Sequence, residues 1–395
     1  MDSETASCCT CPCYTPENDD PESRSCLCCF LGGYLVFNMA IAFLFSIMLA
    51  NSSIQQANWV TAYPARGNFV DLKARDANGD GMKSVLYNCE GPQGTSEPLI
   101  IVDADASHGS ADFWPLQAQL SAAGRRSCSF DKLGLGFSDR YGSEQNVDPM
   151  TYYPGLVEHL LEEEGASAAV MVGWGGGGDI VYEYALTNAD KVRGLVLVET
   201  FSEGIEWRSE AYMEGWNQKE LNDFKNQDLA GRRIIFALLR GLAVPWGLAG
   251  VFVPFNESKY ALPERFDEYK IQYTMPKTWT VQWFTLKPAY DRTYTQYGLG
   301  IFNESSLALE GTPVLQIMSN RTRGAICSDD PPIDTVAECD KRMRRSAYMQ
   351  RDERLVANAT GNASYYYCTA SDCGLDMPLA KPELVVQGIL SAGWA

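Results

Sequence analysis

Short apolar blocks alternate with longer amphipathic stretches through most of the chain. The blocks are Ser84–Cys89, Leu99–Asp103, Arg126–Asp131, Ala168–Gly173, Gly194–Glu199 and Pro313–Ser319. Their length and content of β-branched residues read as strands, several of them buried on both faces. Helical spacing falls at Phe113–Ala123, Tyr152–Glu164, Asp179–Thr187 and Leu384–Ala392. Apolar strands that alternate with helices predict an α/β class: a mostly parallel central sheet flanked by helices. The opening differs. Asp76-Ala-Asn78-Gly-Asp80-Gly81, between two strand-like runs, reads as a β-hairpin turn. The same residues open like a calcium loop, but its twelfth position is Tyr87 instead of a bidentate glutamate, so the turn is preferred.

One apolar run is longer than any strand or core helix needs. Phe30 to Ala50 contains no charge, and Asn38 is its main polar interruption. At about 1.5 Å per residue it spans the roughly 30 Å core of a bilayer. It exceeds a signal-peptide core in length, and its acidic leader is the wrong flank for cleavage, so a retained transmembrane signal anchor is expected. A second apolar stretch, residues 234–253, carries Arg240 and Pro245 near its middle. That stretch fits helices of a cap better than a second span.

Charge and cysteines refine the topology. The 395 residues carry a net charge of −18, and residues 1–29 hold six acids against Arg24 alone. This balance excludes nucleic acid as an expected partner. Six sequons follow the anchor, at Asn51, Asn256, Asn303, Asn320, Asn358 and Asn362, and none precedes it. Glycosylation at these sites would place the C-terminal domain in the lumen or outside the cell, with the N-terminus cytosolic. Six dispersed cysteines suit that oxidising side. The seven N-terminal cysteines lack the histidine partners and spacing of a zinc site. Cys26, Cys28 and Cys29 lie beside the membrane, where S-palmitoylation is preferred over free thiols. No cofactor and no metal is expected.

Behind the anchor the chain resembles the α/β-hydrolase superfamily. Pro98-Leu-Ile-Ile-Val-Asp-Ala, Asp112-Phe-Trp-Pro-Leu and Ser129-Phe-Asp-Lys-Leu-Gly-Leu-Gly-Phe-Ser-Asp139 look like its third strand, first helix and fourth-strand exit. Val170-Met-Val-Gly173-Trp-Gly-Gly-Gly177 looks like its nucleophile elbow, and Lys191–Glu199 like the next strand. Residues 374–386 look like the segment that carries the family's histidine and leads into its last helix. The resemblance implies an α/β-hydrolase core at 69–200 and 311–395, a helical cap at 201–310, a linker at 51–68, the anchor at 30–50 and a cytosolic tail at 1–29. It also implies that Cys89 and Cys128 lie near the ends of neighbouring strands and form a disulfide. Cys327–Cys339 and Cys368–Cys373 are pairings by sequence proximity.

Set against that family's chemistry, this chain departs at each working position. The elbow motif is G-x-S-x-G, whose serine attacks the substrate. Here Gly173-Trp174-Gly175-Gly176-Gly177 keeps the outer glycines and places Gly175 at the nucleophile position. The histidine position falls on Leu375, which cannot transfer a proton. The acid position after Pro313–Ser319 offers Asn320, Arg321 and Thr322, although Glu199 could serve as a surviving acid after the preceding strand. Asp105, in the turn that would supply an oxyanion amide, repels a developing oxyanion.

Only two histidines occur. His159 reads as a surface residue, and Ser107-His108 offers a salvage pair near the site with no orienting acid evident. The expected ligand pocket comprises Trp174, Gly175, Asp105, His108 and Leu375. The preferred function is a pseudohydrolase that binds a lipid, another apolar ligand or a protein. Its rivals are an active ester or lipid hydrolase with displaced residues and a structural subunit of a membrane assembly.

Overall fold

Among the described residues, eight strands form a single sheet in the order β1-β2-β4-β3-β5-β6-β7-β8. They span Asn68–Asp76 (β1), Gly79–Glu90 (β2), Leu99–Asp103 (β3), Ser127–Phe130 (β4), Ala169–Trp174 (β5), Val192–Val198 (β6), Val314–Ser319 (β7) and Ala363–Cys368 (β8). The computed structural model describes residues 21–76, 79–104, 108–139, 149–200, 260–274, 309, 311–319, 363–368 and 377–394. Most of the expected cap, 201–310, therefore lies outside the described residues.

β1 and β2 pair antiparallel from Asn68↔Tyr87 to Asp76↔Gly79, as the two arms of a hairpin do. β2 also runs antiparallel to β4, while all pairs from β4 through β8 are parallel. β8 has no counterpart among the strands expected from the sequence. Its Ala-Ser-Tyr-Tyr-Tyr-Cys stretch is aromatic and half-polar, as an edge strand can be, and it lacks the apolar block that marked the inner strands.

Side-chain alternation along the strands divides the core into two layers. Leu99, Ile101, Met171, Leu195 and Leu197 point to one face, where they meet Leu156 and Leu160 of α3 (Tyr153–Glu164) and Val181 and Tyr184 of α4 (Gly176–Thr187). Ile100, Val102, Val170, Val172, Val196 and Val198 point to the other. There they meet Leu116 and Leu120 of α2 (Trp114–Ala122) and Val385, Val386 and Ile389 of a C-terminal helix, Pro382–Ser391. Both layers are built of buried apolar side chains, as expected of strands covered on both faces. Cys89 and Cys128, opposite one another on β2 and β4, form the expected disulfide.

Helix α1 runs from Pro21 to Ala62. Its apolar section, Gly32–Asn51, has a mean hydropathy of 2.0 and is long enough to cross a membrane. None of that section is buried, and Phe37, Met39 and Phe43 all face outward. A helix apolar on every face and left exposed by the described residues has the surface that lipid would cover. Its polar side chains turn back on the helix: Asn38 Nδ2 donates to the Tyr34 carbonyl at 2.7 Å and Ser46 Oγ to that of Ala42 at 2.9 Å. Such bonds leave fewer polar groups open to hydrocarbon.

The helix does not stop with the apolar run. Residues 51–62, expected as linker, continue it because neither glycine nor proline interrupts the chain before Pro64. Asn51 consequently lies within the helix, as do Cys26, Cys28 and Cys29.

Candidate functional site

β5 ends at Trp174 and α4 begins at Gly176, so a single residue, Gly175, makes the turn from strand to helix. Its backbone sits at φ 54°, ψ −128°, a region closed to relaxed L-residues. Two hydrogen bonds hold it there, Gly175 N–H to the Val198 carbonyl and Gly178 N–H to the Gly175 carbonyl, both at 3.0 Å. The neighbouring glycines make the turn possible by proximity. A β-carbon on Gly173 would overlap the Gly177–Gly178 backbone, and one on Gly177 would overlap the carbonyls of Asp103 and Ala104. One on Gly178 would strike the Thr200 side chain. α4 therefore starts three residues before the sequence pattern places it, because a glycine run reads as loop until packing demands it.

The loop after β3 approaches this turn. Residues 105–107 fall outside the described residues, so neither Asp105 nor Ser107 has a described position, whereas His108 does. The His108 ring stands 4.5 Å from that of Trp174, which is itself edge-on to Phe113 at 6.1 Å. His108 Nδ1 lies 3.1 Å from Asp112 Oδ1. Asp112 is fully buried, and its second oxygen accepts the Gly109 N–H at 2.9 Å. The expectation that no acid orients His108 is thus corrected. A spacing of four residues hid the pair, since the intervening 3₁₀ turn, Ser110–Phe113, was not legible as one.

A second buried carboxylate fixes the loop. Asp131 Oδ1 accepts the Ser110 N–H at 2.9 Å and its hydroxyl at 2.6 Å, while Oδ2 accepts the Phe137 N–H at 2.8 Å. The fourth-strand exit thereby holds the His108 loop in register. Below it, Lys132 Nζ pairs with Asp103 Oδ1 at 2.9 Å and also donates to the Ala104 carbonyl. This buried pair escaped the sequence reading, as did the role of Asp131.

Glu199 follows β6 next to the elbow, almost wholly buried. At φ 46° it is the one non-glycine residue with a left-handed backbone among the described residues. Strain of this kind costs about 1–3 kcal/mol and persists where packing over-determines it. His159 lies apart from the site. It is half-buried instead of free at the surface, with Nε2 3.2 Å from the Tyr87 hydroxyl. That hydroxyl donates to Glu163 at 2.5 Å. Burial first, and then Glu163, push Tyr87 up to about 12.

Leu375, Cys327, Cys339, Cys373, Asn256, Asn303, Asn320, Asn358 and Asn362 lie outside the described residues. Among the described residues, Cys89, Cys128 and Glu164 come close enough to hold a metal ion. The two sulfurs are bonded to each other, so no thiolate remains to ligate one.

A mostly parallel sheet in this order, whose fifth strand turns through one strained glycine into a helix, defines the α/β-hydrolase class of fold. Residues 98–238 match the family model described as the α/β hydrolase fold. The domain has the α/β-hydrolase fold. Similar solved structures include a probable hydrolytic enzyme from Pseudomonas aeruginosa: 22% identity, 84% of this chain and 95% of that one covered, TM-score 0.52. A candidate α/β hydrolase from Nostoc is 14% identical over 82% of this chain and 97% of its own, TM-score 0.50. A thermophilic esterase from Thermogutta terrifontis is 15% identical over 82% and 97%, TM-score 0.47. Among curated protein sequences, none matches the chain.

Proposed function

We propose that this chain is a single-pass membrane glycoprotein whose luminal or extracellular hydrolase-like domain binds a ligand or partner and does not hydrolyse esters. Gly175 carries the reading. It occupies the strained apex from which this fold presents its nucleophile, yet it has no side chain with which to form an acyl-enzyme. Leu375 at the histidine position and Asp105 in the oxyanion turn support it from the sequence. Trp174 and Phe113 beside the elbow favour an apolar ligand such as a lipid. The orientation follows from the six sequons, with Cys26, Cys28 and Cys29 palmitoylated at the cytosolic face.

The full-length protein in detergent is to be assayed with short- and medium-chain nitrophenyl esters. The Ser107→Ala/His108→Ala double variant and Asp112→Asn run beside it. The expected result is that the wild type turns over no faster than either variant. Gly175→Ser is expected to lower stability by about 1–3 kcal/mol, because a side chain must enter a backbone region that only glycine accepts freely. Denaturant melts measure that loss.

A second reading rests on Asp112. A buried carboxylate on His108 Nδ1 holds the ring with its other nitrogen as the basic one, which is how a general base is oriented. Ester turnover abolished in both variants would favour this displaced-site hydrolase and overturn the non-catalytic reading.

A further inference from the structure

A strip of charged side chains joins the anchor to the body of the domain, away from the elbow. Arg66, just beyond α1, places Nη2 2.5 Å from Glu268 Oε1. Glu268 lies on α5 (Phe266–Thr274), a described helix of the expected cap. Its other oxygen is 3.7 Å from Arg265 Nε. Arg265 Nη1 in turn reaches Glu90 Oε1 at 3.2 Å, and its guanidinium stacks over the Trp114 ring at 3.7 Å. The side chains of Arg265 and Glu268 are each only 13% exposed, so screening by water is weaker than for an open surface pair.

Both ends of this strip are held. Gly67, next to Arg66, turns at φ 117° with its α-carbon against the Tyr87 carbonyl, where no side chain would fit. α5 rests on the loop that carries His108: Gln272 lies beside Gly109, and Tyr260, which precedes the helix and packs on its Phe266 and Tyr269, donates its hydroxyl to the Ala111 carbonyl at 3.0 Å. Between the last residue of the apolar section, Asn51, and Ala62 the helix is unbroken. That is a rise of about 16 Å with no joint before Tyr63-Pro64.

We propose that Arg66–Glu268–Arg265 is a latch through which the membrane tether holds α5 against the His108 loop. The latch sets the domain with α5 on its bilayer-facing side, and parting Arg66 from Glu268 loosens α5. The contact stands on the domain's own geometry, while the bilayer-facing orientation rests on the reading of α1 as an anchor.

Amide hydrogen exchange on the full chain in lipid nanodiscs tests it. The Arg66 side chain is 55% exposed, so Arg66→Glu and Glu268→Arg are each expected to speed exchange across residues 260–274 by about two- to fivefold, the range for losing an ion pair of that exposure. The double exchange, Arg66→Glu with Glu268→Arg, recovers only the 66–268 pair, because Arg265 still loses its partner, and is expected to exchange more slowly than Glu268→Arg alone. Residues 169–174 of β5 stay protected throughout. Where a charge reversal also deprotects β5, Arg66→Gln takes its place.

Unchanged exchange in both single variants, or a double variant no slower than Glu268→Arg alone, overturns the latch. Flotation of the full chain with vesicles reads the anchor separately. A chain that shows rescue but does not float keeps the latch and loses the bilayer-facing orientation.

Discussion

Glycine decides the geometry of the elbow through what it leaves out. At Gly177 two effects oppose each other on substitution. Alanine favours a helix over glycine by up to about 1 kcal/mol. Its β-carbon would also overlap the Asp103 and Ala104 carbonyls, where backbone cannot yield as a side chain would. Overpacking of that kind costs about 1–3 kcal/mol, so it wins. Gly177→Ala is expected to be net destabilising, with a lower urea midpoint and an unchanged slope. An increase in stability would mean that α4 can move away from β3. Asp131 and Asp112 act oppositely, by adding groups: two buried carboxylates, each of whose oxygens has a partner in the loops.

Among the elements, the β1–β2 hairpin depends most on its links to the rest. Among the described residues it joins the rest of the sheet only through β2–β4, where four residue pairs and the Cys89–Cys128 disulfide hold it. Arg126 adds a two-pronged pair with Glu164 at 2.9 and 2.7 Å and bonds to the carbonyls of Cys89 and Gly91. The disulfide closes a loop with a sequence separation of 39. Cys89→Ala with Cys128→Ala is therefore expected to cost about 2–4 kcal/mol. Denaturant melts give the cost, and exchange should show β1 and β2 opening before β5.

At the scale of the whole molecule, buried tyrosines set the alkaline limit. Tyr87 and Tyr184 are each raised from 10.0 to about 12, first by burial and then by neighbouring acids. Tyr153, wholly inside, is raised well above its ordinary value by burial and then by Asp103. A raised folded-state value means that the unfolded chain ionises first as pH rises. Stability from these groups is fully present below pH 10 and is lost progressively between 10 and about 12. Thermal melts from about pH 8 upward should be flat at first and then fall steeply. Tyr87→Phe is expected to flatten the fall. An unchanged profile would remove Tyr87 from that account.

The sequence by itself determined the α/β class, the inner strands, the long apolar helix, the hairpin turn and the Cys89–Cys128 pairing. Each of these is written in local periodicity, in turn chemistry or in a family-like order of segments. Gly175 at the elbow was legible for the same reason, since a five-residue motif is contiguous in the chain.

Tertiary structure alone decided the remainder. β8 is an edge strand and needs no apolar block, and α4 begins in glycines that only a close approach to β3 requires. The bonds from Asp112 to His108, from Asp131 to Ser110 and from Lys132 to Asp103 depend on turns and strand register that no periodicity records. Arg66 and Glu268 lie 202 residues apart and meet only because the sheet and α5 bring them together. Polar contacts across such distances are set by the packing of apolar faces, and those faces carry no label for the charges placed at their rims.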